Sequence, residues 1–164
     1  MAKLLERLGR VSDERDGGLD EDGLYGLFQL WPLKEEGYQV QIQETSIDMV
    51  AVHGLNGNPL KTWTDGDKLW LADFLPQDIP FARVFTYGYN SGLAFTGSSS
   101  RVEDYARTHL QRLIAKRRQF AHQDKRPLIF VCHSLGGVIH VTTVVIPRSM
   151  WQPWREIKVQ HWDC

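Results

Sequence analysis

Apolar and polar positions along this chain fall into short blocks with two different periods. Tyr38-Gln-Val-Gln-Ile-Gln43 alternates at period two, which predicts a half-buried, peripheral strand. Ile47-Asp-Met-Val-Ala-Val52 is a denser apolar run, as a strand covered on both faces requires. Ala82-Arg-Val-Phe-Thr-Tyr87 and Pro127-Leu-Ile-Phe-Val-Cys132 are two further strand candidates. Between them the spacing becomes helical. Leu69 to Leu75 predicts a short helix, entered after Asp65-Gly66-Asp67 and ended by Pro76, which cannot continue it. Trp63 and Trp70 are expected to anchor this region by packing. After Ser98-Ser99-Ser100, a run of N-cap residue types, Val102, Tyr105, Ala106, Leu110, Leu113 and Ile114 recur on one helical face. Arg107, Arg112, Lys116 and Arg117 are expected to face away from it. A third helix is expected after Gly136-Gly137. Strands alternating with helices predict an α/β fold with a mostly parallel sheet and flanking helices. Residues 1–26 read as a mobile lead-in, with order starting near Leu27. Residues 27–146 read as one partial domain and residues 147–164 as an irregular tail.

Composition narrows the function classes. The 42% apolar and 24% charged fractions are those of a folded globular chain. Nineteen Lys and Arg stand against twenty Asp and Glu, so no basic excess exists to bind nucleic acid. Cys132 and Cys164 make no disulfide framework, no Cys/His cluster has zinc spacing, and no cofactor or metal is expected. Cys132, inside an apolar strand, reads as a small buried residue rather than a reactive thiol. No stretch approaches the roughly 20 apolar residues of a membrane span. Met1 to Arg10 lacks the apolar core of a secretory signal, while Glu6, Asp13 and Glu14 oppose a mitochondrial presequence. An intracellular location is the expectation.

Chemistry concentrates at two strand ends. Cys132-His133-Ser134-Leu135-Gly136 follows an apolar strand and precedes a helix, which is nearly the G-x-S-x-G nucleophile elbow with Cys132 in the first glycine position. Such an elbow needs small residues two positions either side of the serine, because the strand-to-helix turn is tight. It sets Ser134 as candidate nucleophile at a helix N-terminus, with His133, Gly136 and Gly137 as supporting positions. Upstream, Val52-His53-Gly54-Leu55-Asn56-Gly57-Asn58-Pro59 also follows an apolar strand. A His-Gly loop here offers the Leu55 N–H, beside that of Leu135, to a tetrahedral oxyanion. A phosphate-binding loop is excluded, since no Gly-Lys-Ser/Thr follows. His53 and His133 are discounted as bases: each sits beside its turn, outside the chain order serine, acid, histidine.

These motifs resemble the SesB-like esterase domains of fungal NLR-like proteins. That family is related to the serine active-site-containing proteins and, more distantly, to the GPI inositol-deacylase lipases. The resembling stretch runs from Gly26 to His140, with Trp70-Leu-Ala-Asp-Phe-Leu-Pro76 and Ala82-Arg-Val-Phe-Thr-Tyr-Gly-Tyr-Asn-Ser91 among its segments. It implies a partial α/β-hydrolase and a serine esterase or lipase acting on ester or lipid substrates. The alternative is a non-catalytic signalling or interaction domain of a cell-death or incompatibility receptor. It also implies peripheral contact with mitochondrial or endoplasmic reticulum membranes as an alternative to the cytoplasm. From Val141 onward the family pattern is lost. Each βα unit of such a fold takes about 30 residues, so the triad acid and histidine are expected to be missing from a truncated, inactive chain. Glu156 and His161 stand in the right order, but only five residues apart. Losing the later strands is expected to leave Leu128 to Val131 as an apolar edge open to self-association.

Overall fold

Alternation within each apolar strand decides which face of the sheet each side chain joins. The computed structural model describes residues 17–20, 23–32, 47–92, 99–118 and 126–145. Its strands are β1 (Gly17–Asp20), β2 (Gly23–Trp31), β3 (Asp48–Val52), β4 (Thr64–Asp65), β5 (Lys68–Leu69), β6 (Arg83–Gly88) and β7 (Leu128–Cys132). Its helices are α1 (Trp70–Asp73), α2 (Leu75–Asp78), α3 (Ser99–Arg118) and α4 (Leu135–Val145), with one 3-10 turn at Lys61–Trp63. Five strands form one sheet in the order β1-β2-β6-β3-β7, and β4 and β5 make a separate two-stranded ribbon. β1 and β2 are antiparallel, as are β2 and β6, whereas β6, β3 and β7 run parallel. Four strands therefore share one direction and only β2 opposes them. This is the mostly parallel α/β sheet expected from the sequence.

Met49 and Ala51 point to one face, where Leu60, Leu71 and Leu75 cover them. Val50 and Val52 point to the other, against Phe85, Leu113 and Ile139. With both faces covered, an apolar residue fits at nearly every β3 position, and each large side chain fully buried there contributes roughly 1.5–3 kcal/mol.

Several elements start or end elsewhere than their local patterns suggest. Among the described residues strand structure is already present at Gly17, ahead of Leu27, because β1 and β2 pair as a hairpin that extends the sheet. Pro76 does not simply stop a helix: it occupies the first turn of α2, where its missing N–H has no intrahelical partner to lose. The helix after the elbow starts at Leu135, so Gly136 and Gly137 lie inside its first turn. α3 has already begun at Ser99, and Ser98 lies outside the described residues. Trp63 packs against the core, but Trp70 is exposed. The strand expected over Tyr38 to Gln43, and all of the tail from residue 146, also lie outside the described residues.

Arg117 is the largest departure. It is buried rather than facing solvent, because a carboxylate waits for it at the start of β3. The Asp48 carboxylate, fully buried, accepts from Arg83 Nε and Nη2 at 2.7 Å each and from Arg117 Nη1 at 2.5 Å. Arg126 Nε lies 3.4 Å away. Arg117 Nη2 also donates to the Arg126 carbonyl at 2.8 Å, and Arg126 Nη2 donates to the Phe81 carbonyl. One carboxylate thus joins β3, β6, the end of α3 and the approach to β7.

Between α3, α4 and the sheet, His109 is fully buried. Its ring stacks on Tyr87 with centroids 4.4 Å apart and meets Phe130 edge-on at 5.8 Å. Burial, with a smaller contribution from the charge of His140, pushes its pKa down to about 3.

Two outcomes follow. Asp48→Asn should lower stability by about 3–5 kcal/mol, because buried guanidinium groups lose the carboxylate they share. Urea unfolding reads this as a fall in midpoint, and a loss below about 1 kcal/mol would refute it. For His109, the unfolded chain takes up a proton near pH 6.5 while the folded chain does not until about pH 3. Its contribution to stability is therefore intact above pH 6.5 and lost progressively as pH falls toward 3, on the order of 1 kcal/mol per pH unit. His109→Phe should flatten the urea midpoint against pH between 6 and 4 relative to wild type.

Candidate active site at the tips of two parallel strands

β3 and β7 are neighbours in register, Val52 opposite Cys132, so the loops leaving them emerge side by side at one end of the sheet. The ladder runs one step further, with His133 N–H donating to the Val52 carbonyl at 3.0 Å. The chain then turns at once. Ser134 has φ of 51°, a left-handed conformation that non-glycine residues seldom adopt. Gly136 N–H donates to the His133 carbonyl at 3.0 Å, and Gly137 N–H to that of Ser134 at 2.9 Å. Ser134 is exposed, between the last strand residue and the first residue of α4.

What forces the turn is the backbone of β3. A Cβ on Gly136 would sit 2.3 Å from the Val52 carbonyl oxygen and 2.7 Å from that of His53, so only glycine fits. Gly137 differs: a Cβ there would meet nothing within 4 Å. Cys132, two residues before the serine, is half-buried, and burial pushes its thiol up to about 11, which keeps it protonated.

The facing loop is equally constrained. A Cβ on Gly54 would lie 2.8 Å from both His133 Nδ1 and the His133 carbonyl oxygen, and 2.9 Å from Ser134 Cβ. Gly54 to Gly57 form a tight turn closed by a 3.0 Å hydrogen bond, with Asn56 at φ 53°. The Asn58 carboxamide oxygen accepts from the Leu60 and Lys61 amides at 2.9 and 3.0 Å, and Thr86 Oγ1 donates to the Pro59 carbonyl at 2.7 Å. Leu55, next to Gly54, is 38% exposed. Ser134, His133 and the His53-Gly54-Leu55 loop are thereby brought together, and Leu135 follows the serine directly. Gly137 stands apart from the contact.

His53 is buried and fully occupied. Nδ1 lies 2.9 Å from the Gly54 carbonyl, to which it can only donate, so Nε2 is left to accept the Tyr89 N–H at 3.4 Å. Its ring stacks on that of Tyr89 at 4.3 Å, and the Tyr89 hydroxyl donates to the His53 carbonyl at 2.8 Å. Burial is the main cause that lowers its pKa, so the ring stays neutral. These contacts fit a loop-shaping residue, not a base. Tyr89 is the partner that local pattern reading missed. It sits just past β6 in Tyr87-Gly-Tyr-Asn90, and only the pairing of β6 with β3 brings it to His53. Among the described residues, no group of three or more His, Cys, Asp or Glu could hold a metal ion.

The two glycines separate sterics from composition. Gly136→Ala should destabilise by about 1–3 kcal/mol, since carbonyl groups of β3 must move. Gly137→Ala should be neutral, or stabilising by about 0.5–1 kcal/mol, through helix propensity. Thermal midpoints of the two variants should lie on opposite sides of wild type or nearly so; equal losses would refute the packing.

No family model matches the chain, and no solved structure matches it. Among curated proteins it is similar to Protein SERAC1 of Danio rerio, 31% identical over 117 residues, covering 59% of this chain and 18% of that protein. It is also similar to Protein SERAC1 of Bos taurus, 23% identical over 114 residues, covering 59% of this chain and 17% of that protein. The chain spans less than a fifth of the length of these relatives. Over the matched stretch it is homologous to Protein SERAC1.

Proposed function

We propose that this chain carries the nucleophile half of a serine hydrolase acting on carboxylic esters, lipids among them. The observation that carries the reading is Ser134: exposed, at φ 51°, at the head of α4 and against the Gly54 loop. Ser134 Oγ attacks the ester carbonyl carbon and gives up its proton to a base. The N–H groups of Leu55 and Leu135 hold the resulting oxyanion, each worth about 3 kcal/mol in a dry site. Collapse expels the alcohol, which takes the proton, and water then releases the acid from Ser134. Homology to Protein SERAC1 agrees with the resemblance to serine active-site-containing proteins.

No described residue is placed to act as the base. Among the described histidines, His53 has both ring nitrogens engaged, His109 is sealed in the interior, and His140 packs on Phe130 at 4.0 Å. His133 precedes the serine directly and is discounted on chain order. The proposal therefore takes the acid and histidine from outside the described residues, with weak or absent turnover where they are not in place. This same observation favours the second reading, a signalling or interaction domain that keeps the fold without the chemistry. Among the described residues no helix is long and apolar enough to cross a membrane.

A fluorophosphonate probe distinguishes the two readings. The expected result is slow labelling mapped to Ser134 by mass spectrometry, abolished in Ser134→Ala. Ester turnover should lie about 10⁴-fold below a complete triad. Labelling that persists in Ser134→Ala would sink the nucleophile assignment. No labelling, even after fusion to a SERAC1 C-terminal part, would favour the interaction domain.

A further inference from the structure

A second feature at the same end of the sheet is left unused by the hydrolase reading. A cleft of about 290 Å³ opens where the tip of β6 and the start of β2 meet α3, lined by Tyr25, Tyr89, Asn90, Tyr105 and Arg112 among others. Its aromatic wall is continuous: the Tyr89 ring lies 5.9 Å from that of Tyr87 and 5.3 Å from that of Tyr105, centroid to centroid.

Arg112 is the anomaly. Its Nη1 is shielded from solvent and has no hydrogen-bond partner among the described residues. The nearby Tyr87 hydroxyl already donates to the Tyr105 carbonyl at 3.1 Å, and burial pushes its pKa up, so it offers no negative charge. None of the residues lining the cleft is acidic. Along α3 no acidic residue follows Asp104, while Arg107, Arg112, Lys116, Arg117 and Arg118 do. A shielded guanidinium nitrogen without an acceptor is unfavourable, and the rest of the planar guanidinium, which lines the cleft, suits a carboxylate or phosphate oxygen there.

We infer that this cleft binds an organic oxyanion, its carboxylate or phosphodiester head on Arg112 and its apolar body along the tyrosine rings. The inference goes beyond the hydrolase reading and does not require Ser134 to be a nucleophile. Such a ligand has two natural sources, a free soluble carboxylic acid or phosphodiester and the headgroup of an anionic lipid.

The test is titration calorimetry of the full chain with diphenyl phosphate, paired with sedimentation of phosphatidylcholine vesicles with or without phosphatidylserine. Diphenyl phosphate should bind, and Arg112→Gln should weaken it by roughly tenfold or more, about 1.4 kcal/mol or above. Arg112→Lys, which keeps the charge and loses the fork, should fall between. Vesicles that bind only with phosphatidylserine and displace diphenyl phosphate would identify a headgroup; soluble binding alone would identify a free ligand. Either supports the site. Folding is checked without ligand: Arg112→Gln should melt no lower than wild type, because no partner is lost. Failure of both probes to bind, or equal binding by wild type and Arg112→Gln, would overturn the inference.

Discussion

The candidate site depends on one close approach, the first turn of α4 pressed against the carbonyl groups of Val52 and His53. With a Cβ at position 136 only 2.3 Å from the Val52 oxygen, the two backbones are as near as a side-chain-free residue allows. That contact sets where α4 begins, and so leaves two residues, His133 and Ser134, to reverse the chain. A turn so short requires one left-handed residue, and the structure places it at Ser134 rather than at a glycine. Strain of about 1–3 kcal/mol at such a residue persists only where its surroundings hold it. Here the holders are visible: the ladder bond from His133 to Val52, the two turn bonds, and Gly54 underneath.

The opposite end of the sheet makes that strain affordable. Asp48 and its arginines clamp the starts of β3 and β6 and the approach to β7, so the strand tips bearing the two loops cannot slide in register. A one-residue slip would exchange Met49 and Ala51 with Val50 and Val52 between two covered faces. Register, fixed by a buried ionic cluster at one end, thus positions Gly54 against Ser134 at the other.

Much of this was legible in local pattern. Three of the apolar runs became the parallel strands β3, β6 and β7 with shifts of only a residue or so at their ends, and the Ser-x-Gly turn announced itself because strand, small residue and helix occur in immediate succession. What escaped was whatever depended on a distant partner. Arg117 follows helical spacing onto an outer face, yet a carboxylate 69 residues earlier draws it inside. The β1–β2 hairpin escaped because glycine-rich sequence carries little period, and pairing with β6 supplies what propensity does not. Gly137 shows the opposite error: its place in a motif suggests steric need, whereas space around it is open. At Gly136 the same residue type is required, and only the position of β3 tells the two apart.

Arg112 and Arg117 make the sharpest comparison, since they lie five residues apart on the same helix and meet opposite conditions. Arg117 enters the interior toward a built-in carboxylate and the Arg126 carbonyl, and its burial is compensated within the chain. Arg112 is only partly buried, yet one of its nitrogens is shielded at an aromatic wall that contains no acid. Had the fold needed the cation for packing alone, a methionine of similar length would fill the space without stranding a donor. Had it needed the charge for solubility, the side chain would extend into water, as long cationic side chains readily do. A guanidinium with one nitrogen held dry and, among the described residues, unpaired satisfies neither requirement. The cleft that Arg112 lines is where the inferred oxyanion would meet the rest of this guanidinium, and Tyr89, which lines the same cleft, stacks on His53 in the loop beside Ser134.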